Sequence, residues 1–469
     1  MSNPSLAGDT APGILVRMLV PALLVLLVAS WCFGGVVEDS TSQDEWLQLL
    51  ALPVLALAVI ALSASPPSDR LLRAGLLLAL LIALVPAIQL LPLPNALWSI
   101  APGRAGVAAD LARAGIVQPA HHWSLTPHAS ERAVWALLPA LAAFLAACAL
   151  PVRFARFFAK ACVAIVLLNV LFALFESGLP RDSGLRMYPD ETSGFGGLLI
   201  NPNHFATALV IGLCLSIGLA VDAWRRAGGA LTFGMQWVYA GAGLLCMLAI
   251  PITTSRAGIV LVPPALVGTF LLTGVLPISR IGKSRGVTIA AAFAMVLGLI
   301  GVWSGFGWLA VAKQEDPRMV IADATFRIGK SYFPLGSGIG SFQPVFEQHM
   351  PASLWMPEYV NHAHNEYAQW WLTGGLPAML VLAFGLIVFA LAGIRIFNAK
   401  GRSSGIVVAA ACWVGIAAAL VHSWVDFPLS TTTLMTTTAM LAGFMLSATA
   451  EVGERARRKY GRRPGMENG

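Results

Sequence analysis

"VNHAHNEYAQWWLTGG" at Val360–Gly375 runs directly into "LPAMLVLAFGLIVFALAGIRIF" at Leu376–Phe397. The second stretch carries no charge until Arg395. A helix of about 20 residues crosses a hydrocarbon core of roughly 30 Å and satisfies its own backbone polar groups. The run therefore reads as a membrane-crossing helix. The histidines, asparagines and glutamate before it stand at its entrance.

Runs of this kind recur along the chain. Expected spans lie at about 14–34, 46–64, 71–92, 134–150, 157–177, 204–223, 231–250, 258–277, 287–309, 376–397, 405–423 and 432–449. Composition agrees: 57% of the 469 residues are hydrophobic, 11% are charged, and mean hydropathy is +0.75. A soluble domain carries about 25% charge. The expected fold class is an all-α polytopic membrane protein with about 12 transmembrane helices and a long outer loop carrying short helices. The first run lacks the cleavage site of a signal peptide. All 6 cysteines fall in or beside spans, with no disulfide or zinc spacing.

Most of the 30 lysines and arginines fall in short loops on one side if the N-terminus is cytoplasmic. They include Arg70 and Arg73, Arg153 to Lys160, Arg225 and Arg226, Arg280 to Arg285, Arg395 to Arg402, and the tail "ERARRKYGRR". The net charge of +7 thus reads as topology and contact with membrane lipids, and no nucleic-acid partner is expected. The outer segments are 93–133, 178–203, "PITTSRAG" at 251–258, and 310–375. Unstructured loops beyond about 15 residues are usually functional. The opening stretch ends the longest of these.

Candidate chemistry gathers on that outer side. In "NPNHFATAL", Asn201 fits an N-cap and Pro202 the first helical position, leaving Asn203 and His204 on the first turn of the sixth span. Arg256 in "TTSRAG" enters the eighth span without an acidic neighbour. It either snorkels to headgroups or grips an anion through its fork. Residues 318–333 suit a surface helix bearing Arg318, Phe326, Arg327 and Lys330, followed by "PLGSGIGSF", whose glycines read as turn and packing residues. A helix over 364–372 sets His364, Tyr367 and Trp371 on one face, with Asn365 and Gln369 beside it. Histidine exchanges protons near neutral pH, which makes His362 and His364 the candidate bases. The sixth, eighth and tenth spans all begin outside, so their positive dipole ends converge where a doubly charged anion would bind. No aspartate pair there has metal-ligand spacing, so neither a metal nor another cofactor is expected.

"NPNHFATAL", "TSRAG", "PLGSGIGSF" and "HAHNEYAQWWLTGGLPA", in this order, resemble the O-antigen ligase and polymerase superfamily of bacterial inner-membrane glycosyltransferases. The resemblance spans about 194–380 and implies a GT-C-like fold. It divides the chain into N-terminal spans with a periplasmic loop at 93–133 (1–190) and a catalytic region with periplasmic loop 310–375 (191–380). C-terminal spans (381–450) and a basic cytoplasmic tail (451–469) complete it. It further implies a multi-pass inner-membrane enzyme with its active site facing the periplasm. That enzyme transfers a glycan from an undecaprenyl-pyrophosphate donor to a glycan or lipid acceptor by metal-independent inversion. Polymerisation of repeat units is the expected reaction. Ligation to lipid A core and transfer to protein are the alternatives, and a transporter is a more distant one. By the same resemblance Arg256, Arg318 and His364 are catalytic. Asn203, His204, Asn365, Tyr367, Arg327 and Lys330 are expected to bind substrate.

Overall fold

The computed structural model describes residues 11–36, 42–116, 118–180, 182–186, 194–230, 233–275, 317–351, 354, 359–399 and 403–461. Over these residues the chain is an all-α polytopic membrane protein. Its helices are α1 (Ala11–Phe33), α2 (Ser42–Ala64), α3 (Arg70–Ile88), α4 (Asn95–Trp98), α5 (Ala105–Arg113), α6 (Pro127–Ala136), α7 (Leu138–Ala149) and α8 (Ala155–Ser177). There follow α9 (Pro202–Arg226), α10 (Met235–Ile252), α11 (Arg256–Thr273), α12 (Pro317–Ser331), α13 (Phe342–His349), α14 (Glu366–Asn398), α15 (Ser404–His422) and α16 (Thr432–Gly461). Strands β1 (Pro92–Pro94) and β2 (Ala120–His122) pair antiparallel, with Leu93 opposite His121.

Among the described residues 11 helical segments are long and apolar enough to cross a membrane. They coincide with the spans expected from the sequence, apart from 287–309, which lies outside the described residues. Two boundaries move by more than a few residues. The fourth span starts earlier, because α6 and α7 abut at Leu137 and together run Pro127–Ala149. The tenth starts at Glu366, and its helix breaks at Gly375, whose φ of 58° and ψ of −150° are non-helical. The expected polar helix and the expected apolar span are thus two parts of one kinked element.

The start of α3 carries a side-chain cap. Asp69 Oδ1 accepts from the amides of Leu71 and Leu72 at 2.8 and 3.1 Å, and Arg395 Nη1 reaches the same oxygen at 2.8 Å. That pair joins the start of α3 to the end of α14. At the same end of the bundle, Arg156 and Arg226 flank Asp222, while Arg225 donates to the Thr273 carbonyl at 2.6 Å. The opposite end holds the starts of α9, α11, α14 and α16. α9 is the central helix; nearly every residue from His204 to Ala223 is buried.

A second, smaller core stands at that opposite end. Ile321, Ile328 and Tyr332 of α12 and the segment after it meet Phe342 and Phe346 of α13, with Val360, Ala363 and Leu372. The glycine-rich turn beneath is held by backbone bonds: Ser337 and Gly338 amides donate to the Leu372 and Thr373 carbonyls at 3.0 and 2.8 Å. Gly336, Gly338 and Gly340 all have positive φ. A Cβ on Gly336 would come within 2.5 Å of the Thr373 carbonyl oxygen, which accounts for glycine there. The turn is therefore a packing device, as its sequence indicates.

The loop after α3 closes over this turn. Arg104, wholly buried, donates to the carbonyls of Pro102, Trp123 and Gly336 at 3.0, 2.6 and 2.9 Å. Burial pushes its guanidinium down to about 10, still charged at neutral pH. Trp123 Nε1 donates to Leu335 at 3.0 Å, and Gln89 bridges Thr373 and Ile339. A guanidinium satisfies several carbonyls at once because its donors are fixed in a plane.

Candidate functional site

Three helix starts share one local design. Asn201, Ser255 and Asn365 cap α9, α11 and α14, accepting from the amides of Asn203, Gly258 and Ala368 at 2.9, 3.2 and 2.9 Å. The residue before each cap has positive φ although it is not glycine: Ile200 at φ 57°, Thr254 at 58° and His364 at 48°. Such a backbone costs on the order of 1–2 kcal/mol per residue. It turns the chain sharply just before the helix begins. His364 thus lies off α14, not on a helical face shared with Tyr367 and Trp371 as the sequence periodicity suggests.

The turn directs the His364 ring at Asp426, in the linker between α15 and α16. Nδ1 of His364 lies 3.4 Å from Asp426 Oδ1, and Arg318 Nη1 lies 3.2 Å from Oδ2. The carboxyl is almost wholly buried. Burial alone pushes it up, but the His364 hydrogen bond and the neighbouring His204 and Arg318 outweigh that. They hold it well below the usual carboxylate range. An ionised carboxylate only accepts, so Nδ1 of His364 carries the hydrogen and a neutral ring presents Nε2 as a lone pair.

Phe427, next in sequence, is the platform for this cluster. The rings of His204, His362 and His364 lie 5.0, 4.2 and 5.0 Å from its centroid. His362 Nδ1 faces Gln369 Oε1 at 3.2 Å, and that oxygen also accepts from the Ala363 amide at 3.1 Å. His362 is therefore oriented by a neutral amide, whereas His364 is oriented by a carboxylate. Only the carboxylate stabilises an imidazolium as it forms.

The other sequence candidates separate by contact. Arg256 is the first residue of α11, exposed, and makes no ion pair or hydrogen bond among the described residues. Two residues on, a Cβ at Gly258 would sit 2.6 Å from Ala206, so the first turns of α11 and α9 lie against each other. Asn365 is used structurally: its oxygen caps α14 and its Nδ2 donates to the Trp424 carbonyl at 2.8 Å. Tyr367 donates to Leu420 O at 2.5 Å and packs on Trp424. Arg327 pairs with Asp323 on the exposed face of α12, and Lys330 is exposed on that helix. Asn203 is half-buried beside its cap, while His204 is wholly buried.

Sequence reasoning missed Asp426, Phe427 and His422. His422 Nδ1 lies 2.7 Å from Thr207 Oγ1, tying α15 to α9 behind Asp426. Asp426 did leave a trace: it is a lone acid in a short linker on the same side as Arg256 and His364.

Residues 241–383 match a family model described as O-antigen ligase. No curated protein matches the chain. The matched region contains Arg256, Arg318 and His364; Asp426 and His204 lie outside it. Over that region the chain is similar to the O-antigen ligase family, whose enzymes of glycosyl transfer pass a lipid-linked glycan to an acceptor.

Proposed function

We propose that the protein polymerises surface-polysaccharide repeat units on the periplasmic face of the bacterial inner membrane, taking its glycan from an undecaprenyl-pyrophosphate donor. One observation carries the reading: His364, Arg318 and Asp426 meet where the starts of α9, α11 and α14 converge. A base and an anion-binding group therefore adjoin at one end of a membrane bundle.

The reaction is an inverting displacement at the anomeric carbon. The acceptor hydroxyl gives its proton to His364 Nε2 as its oxygen forms the new glycosidic bond. The bond from the anomeric carbon to the phosphate oxygen breaks, and its electron pair leaves with the lipid pyrophosphate. Asp426 holds the ring through Nδ1 and stabilises the imidazolium. A positioned base typically contributes 10²–10⁴-fold. Arg318, together with Arg256 on the neighbouring helix start, meets the charge on the leaving group, aided by the helix dipoles. In this reading arginines do the work for which other glycosyltransferases use a divalent metal.

Deletion of the gene followed by sizing of surface polysaccharide tests the reading. Loss of long chains with single units retained supports polymerisation. Long chains that remain on the lipid carrier, unjoined to core, mean ligation. An unchanged polysaccharide profile with an underglycosylated protein means transfer to protein.

A further inference from the structure

We infer that His204 is a positioning residue that holds the Asp426 carboxylate in line with His364, and that it makes no contact with sugar. The inference rests on the proposed reading of the site. His204 is on the first turn of α9, and its side chain is fully buried. Neither ring nitrogen has a hydrogen-bond partner among the described residues. Its ring meets Phe427 edge-on, and Nε2 lies 4.0 Å from Asp426 Oδ1.

Unpartnered polar atoms inside a protein are rare and costly, and an apolar side chain would fill the same space without that cost. An imidazole kept there needs a partner, and the carboxylate faces it. A gap of 4.0 Å is too long for a hydrogen bond; a closure of about 1 Å or a single bridging water makes one. Catalytic hydrogen bonds are commonly long before substrate binds.

Arg318 supplies the reason for a second partner. Its guanidinium is bound to Asp426 Oδ2, yet the same group is the one offered to the donor pyrophosphate. When it turns toward phosphate, the carboxylate loses a donor. Nε2–H of His204 then keeps Oδ1 aimed at His364. The groups facing His204 are Asp426, His362, His364 and His422, with Arg318 behind the carboxylate. Full burial denies His204 any route to a glycan.

The test uses purified full-length protein, a lipid-linked repeat unit as donor, and four variants: His204→Ala, His204→Gln, Asp426→Asn and the double variant His204→Ala/Asp426→Asn. His204→Ala is expected to lower kcat by ~10–100-fold, part of the base's contribution. Donor affinity should change by less than about two-fold, and His204→Gln, whose amide N–H reaches the position of Nε2, should recover most of the rate. In the Asp426→Asn background His204→Ala should add less than about two-fold, because residues acting through one another are not additive. Full additivity, or no recovery by glutamine in a protein that unfolds at the wild-type temperature, would leave His204 a space-filling residue. Donor affinity lost in proportion to rate would make it a sugar contact. A thermal-unfolding cycle on the same proteins needs no turnover: His204 and Asp426 are expected to couple there, and independence overturns the inference. An inactive but coupled wild type would instead defeat the proposed reaction and leave the positioning intact.

Discussion

The two oxygens of Asp426 are divided: Oδ1 faces His364 and the Phe427 amide, and Oδ2 faces Arg318. Asp426→Asn keeps the shape and removes the charge. It is expected to lower kcat by ~10²-fold or more, while donor affinity holds or tightens because Arg318 is released; single-turnover and binding measurements separate the two. The pH dependence has a definite sign. A carboxyl whose folded pKa is depressed contributes fully above its ordinary value of about 4, and the contribution is lost only as pH falls below that. Titrating from pH 8 to 5 should therefore leave the Arg318–Asp426 pair intact. Arg256→Lys keeps a charge and loses the planar fork. If Arg256 grips pyrophosphate, this variant is expressed but nearly inactive; full activity in Arg256→Ala would leave only a headgroup contact. At this scale the sequence singles out residues set in local motifs: Arg256 after "TTS", His364 within "HAHNEY". Asp426 escaped because its partners lie at positions 204, 318 and 364, and no local pattern links them. The burial of His204 escaped because the hydropathy of one helix does not reveal that α9 is surrounded.

Among the elements, α14 carries the largest local constraint. Its two halves meet at Gly375, where positive φ coincides with close backbone: a Cβ would come within 2.5 Å of the Gly336 nitrogen and 2.7 Å of the Leu335 carbonyl carbon. The Leu376 amide donates to Pro334 at 2.9 Å, so the break in the helix is bonded to the glycine-rich turn. Gly375→Ala should destabilise the protein by at least about 2 kcal/mol, from the backbone and the clash together. The measurement is the thermal unfolding midpoint in detergent, and a midpoint within 1–2 °C of wild type would contradict it. The sequence shows both parts of α14, one polar and one apolar, but not that they are continuous. A helix and a kinked helix share the same periodicity, and only the approach of the turn at 334–336 distinguishes them.

The whole molecule has one end built from arginine–aspartate pairs and simple basic flanks and another built from capped helix starts and histidines. Reporter fusions after residues 120 and 345 are expected to read periplasm, and one after 228 cytoplasm. A cytoplasmic signal at 345 would put Arg318 and His364 on the wrong side for a lipid-linked donor. Composition and charge asymmetry made this architecture legible, because a bilayer sorts residues by physics that a single sequence displays. The contact between distant outer segments was not legible, since nothing local in 89–130 announces its partner. Arg104, Trp123 and Gln89 bind the turn at 335–339 through main-chain carbonyls and amides. Those bonds make the two segments one mechanical unit. A chimera that imports residues 317–375 from another superfamily member while keeping the host's 89–130 should assemble poorly. Importing both segments together should restore it, because the imported turn then arrives with its distant brace.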